Sequence, residues 1–291
     1  MNYLNFKSIY ILRFFAALIV VFYHFAPNNI FDIDFSFIKK YGYEPVNFFF
    51  FLSGFILTHA YFGKIDSSRM YKIYLFKRLS KIFPLYVLSL FLTCLVNFEI
   101  FNQTGSFFSR LILEITMLQS FFLKNSLNYP DWSLSCELIF YITFPYFLKT
   151  ISKLNTIKNI IYTVILYVIL TITFIILNKR ILNFQYFPFT HISTFVIGIL
   201  SYKLLILNEF NSKAKKFLIV LICVILFYLV FHKKLFILPD HNNGWFTPFY
   251  FILIPALITN KFVSNLLSNR FFLLLGKASY SLYIFQLTTY L

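Results

Sequence analysis

The sequence is short of charge, and above all of acid. Asp and Glu together number 10 in 291 residues, and charged residues of all kinds make up 12%, against 59% hydrophobic and 23% aromatic. A soluble domain of this length would not carry such a surface, so the chain reads as an all-α, polytopic membrane protein. Cysteine is also scarce. Cys94, Cys136 and Cys223 are odd in number, far apart and form no CxxC pair, which argues against a disulfide framework or a zinc site, and no metal is expected. There is no GxGxxG, Walker loop, HExxH or GxSxG, so the usual nucleotide-cradling and hydrolytic signatures are missing. The first apolar run has no small-x-small cleavage site and holds an arginine, unlike a signal peptide. The net charge of +16 comes from basic residues scattered between apolar runs. Nucleic acid, which needs a basic stripe, is therefore not an expected partner.

What is present is a series of runs long enough to span a bilayer, at about 9–27, 45–62, 82–98, 134–149, 159–178, 187–207, 216–231, 246–260 and 271–291. The stretch 107–123 is shorter and contains Arg110, Glu114 and Gln119. If it does not cross and the N-terminus is cytoplasmic, 18 of the 26 Lys and Arg residues lie inside and 8 outside. If it does cross, the two sides hold 13 each. The positive-inside rule thus favours nine spans in one membrane-embedded domain, 1–291. Segment 99–133 is then an outer loop that can enter the membrane only where protein or water surrounds it. No soluble domain, long linker or internal repeat is visible.

Arg13 and His24 stand eleven residues apart in the first run. On a helix that spacing returns to within roughly 20° of the same face and separates them by ~16 Å along the axis. Ionisable residues inside a span mark function more often than structure. Glu137, in Asp131-Trp132-Ser133-Leu134-Ser135-Cys136-Glu137, lies about one turn inside the fourth span. Ser133 is a plausible N-cap there, and Tyr141 is placed to bond the carboxylate. In this topology Glu137 and His24 share the outer boundary, where an acid could fix the imidazole tautomer and raise its basicity. The basic segment Lys64 to Lys81 is explained by topology signalling and anionic lipid headgroups. Arg78 and Lys81 are in addition an i, i+3 pair just before a span, able to hold the phosphates of a nucleotide-bearing donor. Ser53-Gly54 permits close approach of another helix. His59 and His191 are weaker candidates, and His232 and His241 read as solvated loop residues. Neither His24 nor His59 has an acid at the fifth following position, so the HxxxxD pattern of glycerolipid acyltransferases is missing.

These segments together resemble the acyltransferase-3 family of integral membrane acyltransferases. Residues 11–24, Ile-Leu-Arg to Phe-Tyr-His, look like that family's opening Arg-x10-His. Phe49 to Phe55 looks like its FFxLSGF, Trp132 to Tyr141 like its WSLSxExxFY, and Leu275 to Ile284 like its LGxxSYSLYL. The resemblance implies transfer of an acyl group, usually acetyl from cytoplasmic acetyl-CoA (a donor substrate, with no bound cofactor), to a hydroxyl of an extracytoplasmic or lipid-linked glycan. Arg13 and His24 become the essential pair, with Glu137 orienting His24. Arg78 and Lys81 occupy the donor-associated RxxR motif, with lysine replacing the second arginine and its bidentate fork. Trp132 and Ser133 are assigned to the acceptor, Trp132 stacking on a sugar ring. Gln286 stands where the closing motif usually ends in histidine. Members typically have ten spans against the nine expected here, so a shortened, inactive member is one alternative. Some relatives carry a fused extracytoplasmic domain that delivers the acyl group. Without one, this chain is expected to act alone or with a separate partner protein, in the cytoplasmic membrane of the cell. A lipid-linked glycan flippase is another alternative, because buried Arg, His and Glu also line transport paths.

Overall fold

The computed structural model describes residues 5–25, 29–30, 33–34, 36–97, 107–123, 126–153, 156–178, 186–207 and 246–286. The expected span at 216–231, Cys223, His232 and His241 lie outside the described residues. The helices are α1 (Ser8–Phe25), α2 (Ser36–Tyr41), α3 (Glu44–Tyr61), α4 (Ser68–Val96), α5 (Phe107–Ile115), α6 (Gln119–Phe122), α7 (Asp131–Lys153), α8 (Thr156–Asn178), α9 (Pro188–Ile206), α10 (Thr247–Thr259), α11 (Lys261–Leu266) and α12 (Arg270–Phe285). One two-residue antiparallel pair, Asn29–Ile30 with Ile33–Asp34, follows α1. Among the described residues, α1, α4, α7 and α9 are long and apolar enough to cross a membrane. The chain is thus an all-α membrane protein.

Helices α3 and α9 form the centre. Each is apolar on nearly every side and buried along most of its length, as a helix without a polar face must be. They cross through two glycines. A Cβ on Gly54 would sit 2.1 Å from the Phe195 carbonyl oxygen, and one on Gly198 would sit 2.2 Å from that of Phe51. Contact this close needs residues without side chains. One aromatic core gathers on the α4 and α7 side of this pair, around Phe50, Phe140, Phe144 and Phe195. A second lies towards α1 and α10, around Phe51, Phe55, Tyr250 and Ile254. Helix α12 packs on α1, where Gly276 meets the Tyr10 backbone, and Tyr280 OH donates to Ile82 O of α4 at 3.0 Å.

Segment 107–123 is a broken helix. Between α5 and α6 the chain turns at Met117, whose φ of 56° is left-handed and uncommon for a non-glycine residue. Side-chain-to-backbone hydrogen bonds in both directions tie this irregular segment to α7. Ser135 Oγ donates to Met117 O at 2.7 Å, Ser120 Oγ to Trp132 O at 2.9 Å, and Gln119 Nε2 to Asp131 O at 2.9 Å. Glu114, fully buried, accepts from Leu127 N at 2.6 Å.

Candidate active site

The sequence-predicted residues fall into two adjoining cavities rather than one. The first, about 300 Å³, lies between α1, α3, α4, α7 and α12. Its polar walls are Arg13, Arg78, Lys81 and Lys277, together with Ser53, Ser133, Glu137 and Tyr141. Arg13 and Arg78 are half-buried, whereas Lys81 and Lys277 are exposed and mark the mouth. Arg78 and Lys81 share a face of α4, as their i, i+3 spacing requires. The Arg78 guanidinium lies 4.9 Å from the Tyr61 ring centroid, a cation–π contact that holds it planar against an aromatic face. Its buried Nε has no hydrogen-bond partner among the described residues. Glu137 is the carboxylate in this wall. Ser53 Oγ donates to its Oε1 at 3.0 Å, Tyr141 OH donates to its Oε2 at 2.7 Å, and the Arg13 and Lys81 charges act on it. Four cations around one carboxylate make a site for a polyanion.

The second cavity, about 150 Å³, is aromatic. His24, at the end of α1, packs edge-on against Tyr129 at 5.3 Å between ring centroids and against Tyr23 at 4.8 Å. Lys39 Nζ donates to Tyr23 O at 3.0 Å and His24 O at 3.4 Å, satisfying carbonyls the helix end leaves open. Trp132 lies 5.2 Å from Tyr186 and 5.3 Å from His191, centroid to centroid. The hydroxyls of Tyr129 and Tyr186 share a 2.9 Å hydrogen bond. Asn47 Nδ2 donates to Glu44 Oε2 at 3.2 Å. The Asn47 carbonyl is therefore the acceptor for His191 Nδ1 at 3.2 Å. Val46 and Tyr283 line both cavities and form the wall between them. Tyr283 OH donates to Ser133 Oγ at 2.9 Å.

Two expectations are corrected here. Glu137 does not flank His24; its partners are Ser53 and Tyr141, in the cationic cavity. Ser133 is neither an N-cap nor in the aromatic cavity with Trp132. Helix α7 already begins at Asp131, and Ser133 lines the cationic cavity, its hydroxyl donating to Pro130 O at 2.9 Å. Helix geometry explains both. Ser133, Glu137 and Tyr141 are spaced by four and share one face. Trp132 to Glu137 is five steps, a turn of roughly 140° and ~7.5 Å along the axis, so Trp132 looks into one cavity and Glu137 into the other. Arg13 and His24 divide the same way along α1. Sequence reasoning missed Lys277, which it counted only as a topology charge, although it lies inside the Leu275 to Ile284 motif. It also underweighted His191. His59 stays outside both cavities, bonded to Tyr202 OH at 2.9 Å and stacked on Phe6.

The comparisons with known proteins bear on the family. A family model described as an acyltransferase domain, that of acyltransferase 3, matches residues 6–291. Acyltransferase MdmB of Streptomyces mycarofaciens is 30% identical over 155 residues, 49% of this chain and 39% of that protein. This chain therefore aligns with well under half of that relative's length. Putative acetyltransferase ORF330 of Acidianus two-tailed virus is 26% identical over 285 residues, 95% of this chain and 81% of that protein. No solved structure matches. With a family match running nearly end to end over a bundle of membrane helices, the chain belongs to the acyltransferase-3 family.

Proposed function

We propose that the chain moves an acyl group, most simply acetyl, from acyl-CoA to a hydroxyl of an extracytoplasmic or lipid-linked glycan. The observation that carries this reading is the pairing of a four-cation cavity with a histidine-bearing aromatic chamber across the single wall of Val46 and Tyr283. The donor enters from the cytoplasmic side of the cell membrane, and its phosphates are held by Arg13, Arg78, Lys81 and Lys277. Its thioester arm crosses the wall towards His24. The His24 imidazole takes the proton of the acceptor hydroxyl as that oxygen attacks the thioester carbonyl carbon. The carbon–sulfur bond breaks, and the imidazolium returns the proton to the departing thiolate. Glu137 has a positioning role: fixed by Ser53 and Tyr141, it holds the Arg13 and Lys81 charges in place. Trp132 belongs to the acceptor side, whereas Ser133 carries Tyr283 of the dividing wall.

The test measures acceptor acetylation and binding of radiolabelled acetyl-CoA in membranes holding equal amounts of wild type, His24→Ala, Arg13→Ala and Glu137→Gln. The expected result is loss of transfer with retained donor binding for His24→Ala, and weakened donor binding for Arg13→Ala. Full transfer by His24→Ala, or no binding of acetyl-CoA by the wild type, would refute the reading; the second outcome is the one expected of a flippase.

A further inference from the structure

The aromatic chamber contains a polar group that the transfer chemistry does not use. Gln286 follows the last turn of α12 and lines this chamber. Both ends of its side-chain amide, Oε1 and Nε2, are buried and have no hydrogen-bond partner among the described residues. Leaving one buried donor or acceptor unmade is unfavourable, and leaving both ends of one amide unmade is doubly so. The chamber's other carboxamide is occupied: Asn47 gives its NH₂ to Glu44 and its carbonyl to His191. Gln286 thus presents an unused acceptor and an unused donor side by side, next to His24 and the rings of Trp132 and Tyr129. Two adjacent hydroxyls, each able to donate and accept, complement such an amide.

The remaining walls narrow the ligand further. Among the described residues, no Asp, Glu, Lys or Arg side chain lines the chamber, and Lys39, whose charge acts on His24, is turned to the Tyr23 and His24 carbonyls. A carboxylate or ammonium group drawn into it would be buried without a counter-charge in contact among these lining residues, which is strongly unfavourable. The rings of Trp132, Tyr129 and Tyr186 offer flat apolar faces with a polar edge. At about 150 Å³ the space is half that of the cationic cavity, suited to one small ring rather than a chain of them.

We propose that this chamber binds a single uncharged pyranose residue carrying two adjacent free hydroxyls, and that Gln286 reads that pair. The assignment rests on the acyl-transfer reading for its purpose, since it names the acceptor class, but the binding it describes needs no donor. The amide supplies specificity: a ring that lacks one of the two hydroxyls leaves one end of Gln286 unpaired, and a charged ring is rejected by the walls.

The experiment uses the full-length chain in lipid nanodiscs with Trp245→Phe, a position outside the described residues. Trp132 is then the sole tryptophan, since the sequence has two, and its fluorescence reports the chamber directly. The probes are the methyl glycosides of glucose, mannose, galactose and rhamnose, their single-deoxy analogues, and the methyl glycosides of glucuronic acid and glucosamine. At least one neutral glycoside is expected to give a saturable change. Its deoxy analogue at the paired position, and Gln286→Met with the parent sugar, should each bind about tenfold more weakly. The charged glycosides should give no saturable change. The deoxy comparison is made on a chain with Gln286 intact, so it stands even if Gln286→Met folds poorly. Binding of the glucuronide as tightly as the glucoside, an unchanged Kd in Gln286→Met, or no response to any neutral glycoside would each overturn the proposal. Saturable binding without transfer when acetyl-CoA is added would refute the enzymatic reading and leave this one standing. Transfer to a neutral glycoside with the same acceptor KM in Gln286→Met would do the reverse.

Discussion

Arg78 is the residue whose replacement most sharply tests the donor side. Its guanidinium is already held 4.9 Å over Tyr61, and its buried Nε is unpartnered, so little side-chain freedom remains to be lost when a phosphate arrives. A charge-assisted hydrogen bond contributes about 1.5–3 kcal/mol. Removing it in Arg78→Ala should weaken acetyl-CoA binding by about 10- to 150-fold. Arg78→Lys keeps the charge and loses the planar fork, and should fall between the two. Tyr61→Leu leaves the arginine in place but removes its aromatic seat, worth about 0.5–1 kcal/mol, and should weaken binding only a few-fold. The assay is equilibrium binding of radiolabelled acetyl-CoA to protein in nanodiscs, paired with turnover of acetyl-pantetheine, which carries the thioester without the nucleotide phosphates. The argument places Arg78 on the phosphates alone. It is refuted if Arg78→Ala binds acetyl-CoA within twofold of wild type, or if turnover of acetyl-pantetheine falls as far as that of acetyl-CoA.

Two further predictions concern the frame around the site. Gly54→Ala places a methyl 2.1 Å from the Phe195 carbonyl, so α3 and α9 must separate, at about 3 kcal/mol for overpacking against rigid backbone; thermal melting in detergent should show it, and a wild-type midpoint would refute the contact. Glu114, held up to about 8 from an ordinary 4.5 by burial, binds its proton more tightly folded than unfolded, so its contribution is complete below pH about 4.5 and is lost as pH rises through about 8. Hydrogen exchange of segment 107–127 should therefore speed up between pH 5 and 8.5 beyond the intrinsic chemical rate, and Glu114→Gln should remove that excess; an excess that survives in the variant would assign it to another group.

Much of the fold was legible because membrane spans announce themselves through composition, and 107–123, which the charge tally set apart from the spans, is a helix broken at Met117. The start of α4 was not legible. The apolar run begins near Ile82, but the helix extends back to Ser68, with Ser67 Oγ accepting from Met70 N at 3.3 Å. Its first turns carry the basic residues that a hydropathy reading assigns to a loop. The cationic half of the site was visible in part, since Arg13, Arg78 and Lys81 carry charge where charge is costly. Lys277 was hidden because a lysine near a span end has an ordinary explanation in topology.

The placement of Glu137 shows what kind of inference failed. Depth in the membrane was used to pair it with His24, whereas on α7 rotation turns Glu137 into the cationic cavity and Trp132 into the other, and on α1 axial distance parts Arg13 from His24. The same rotation that joins Arg13 and His24 on one stripe of α1 separates Trp132 from Glu137 on α7. Taken together, the two helices place charge at one end and imidazole with aromatic rings at the other, ~16 Å apart on α1, with Val46 and Tyr283 between them. In the proposed reaction a donor anchored by its phosphates presents its acyl group to His24 across that wall. Tyr283, whose hydroxyl is tied to Ser133, is therefore the side chain that the arm must pass, and replacing it should alter turnover more than the binding of either substrate.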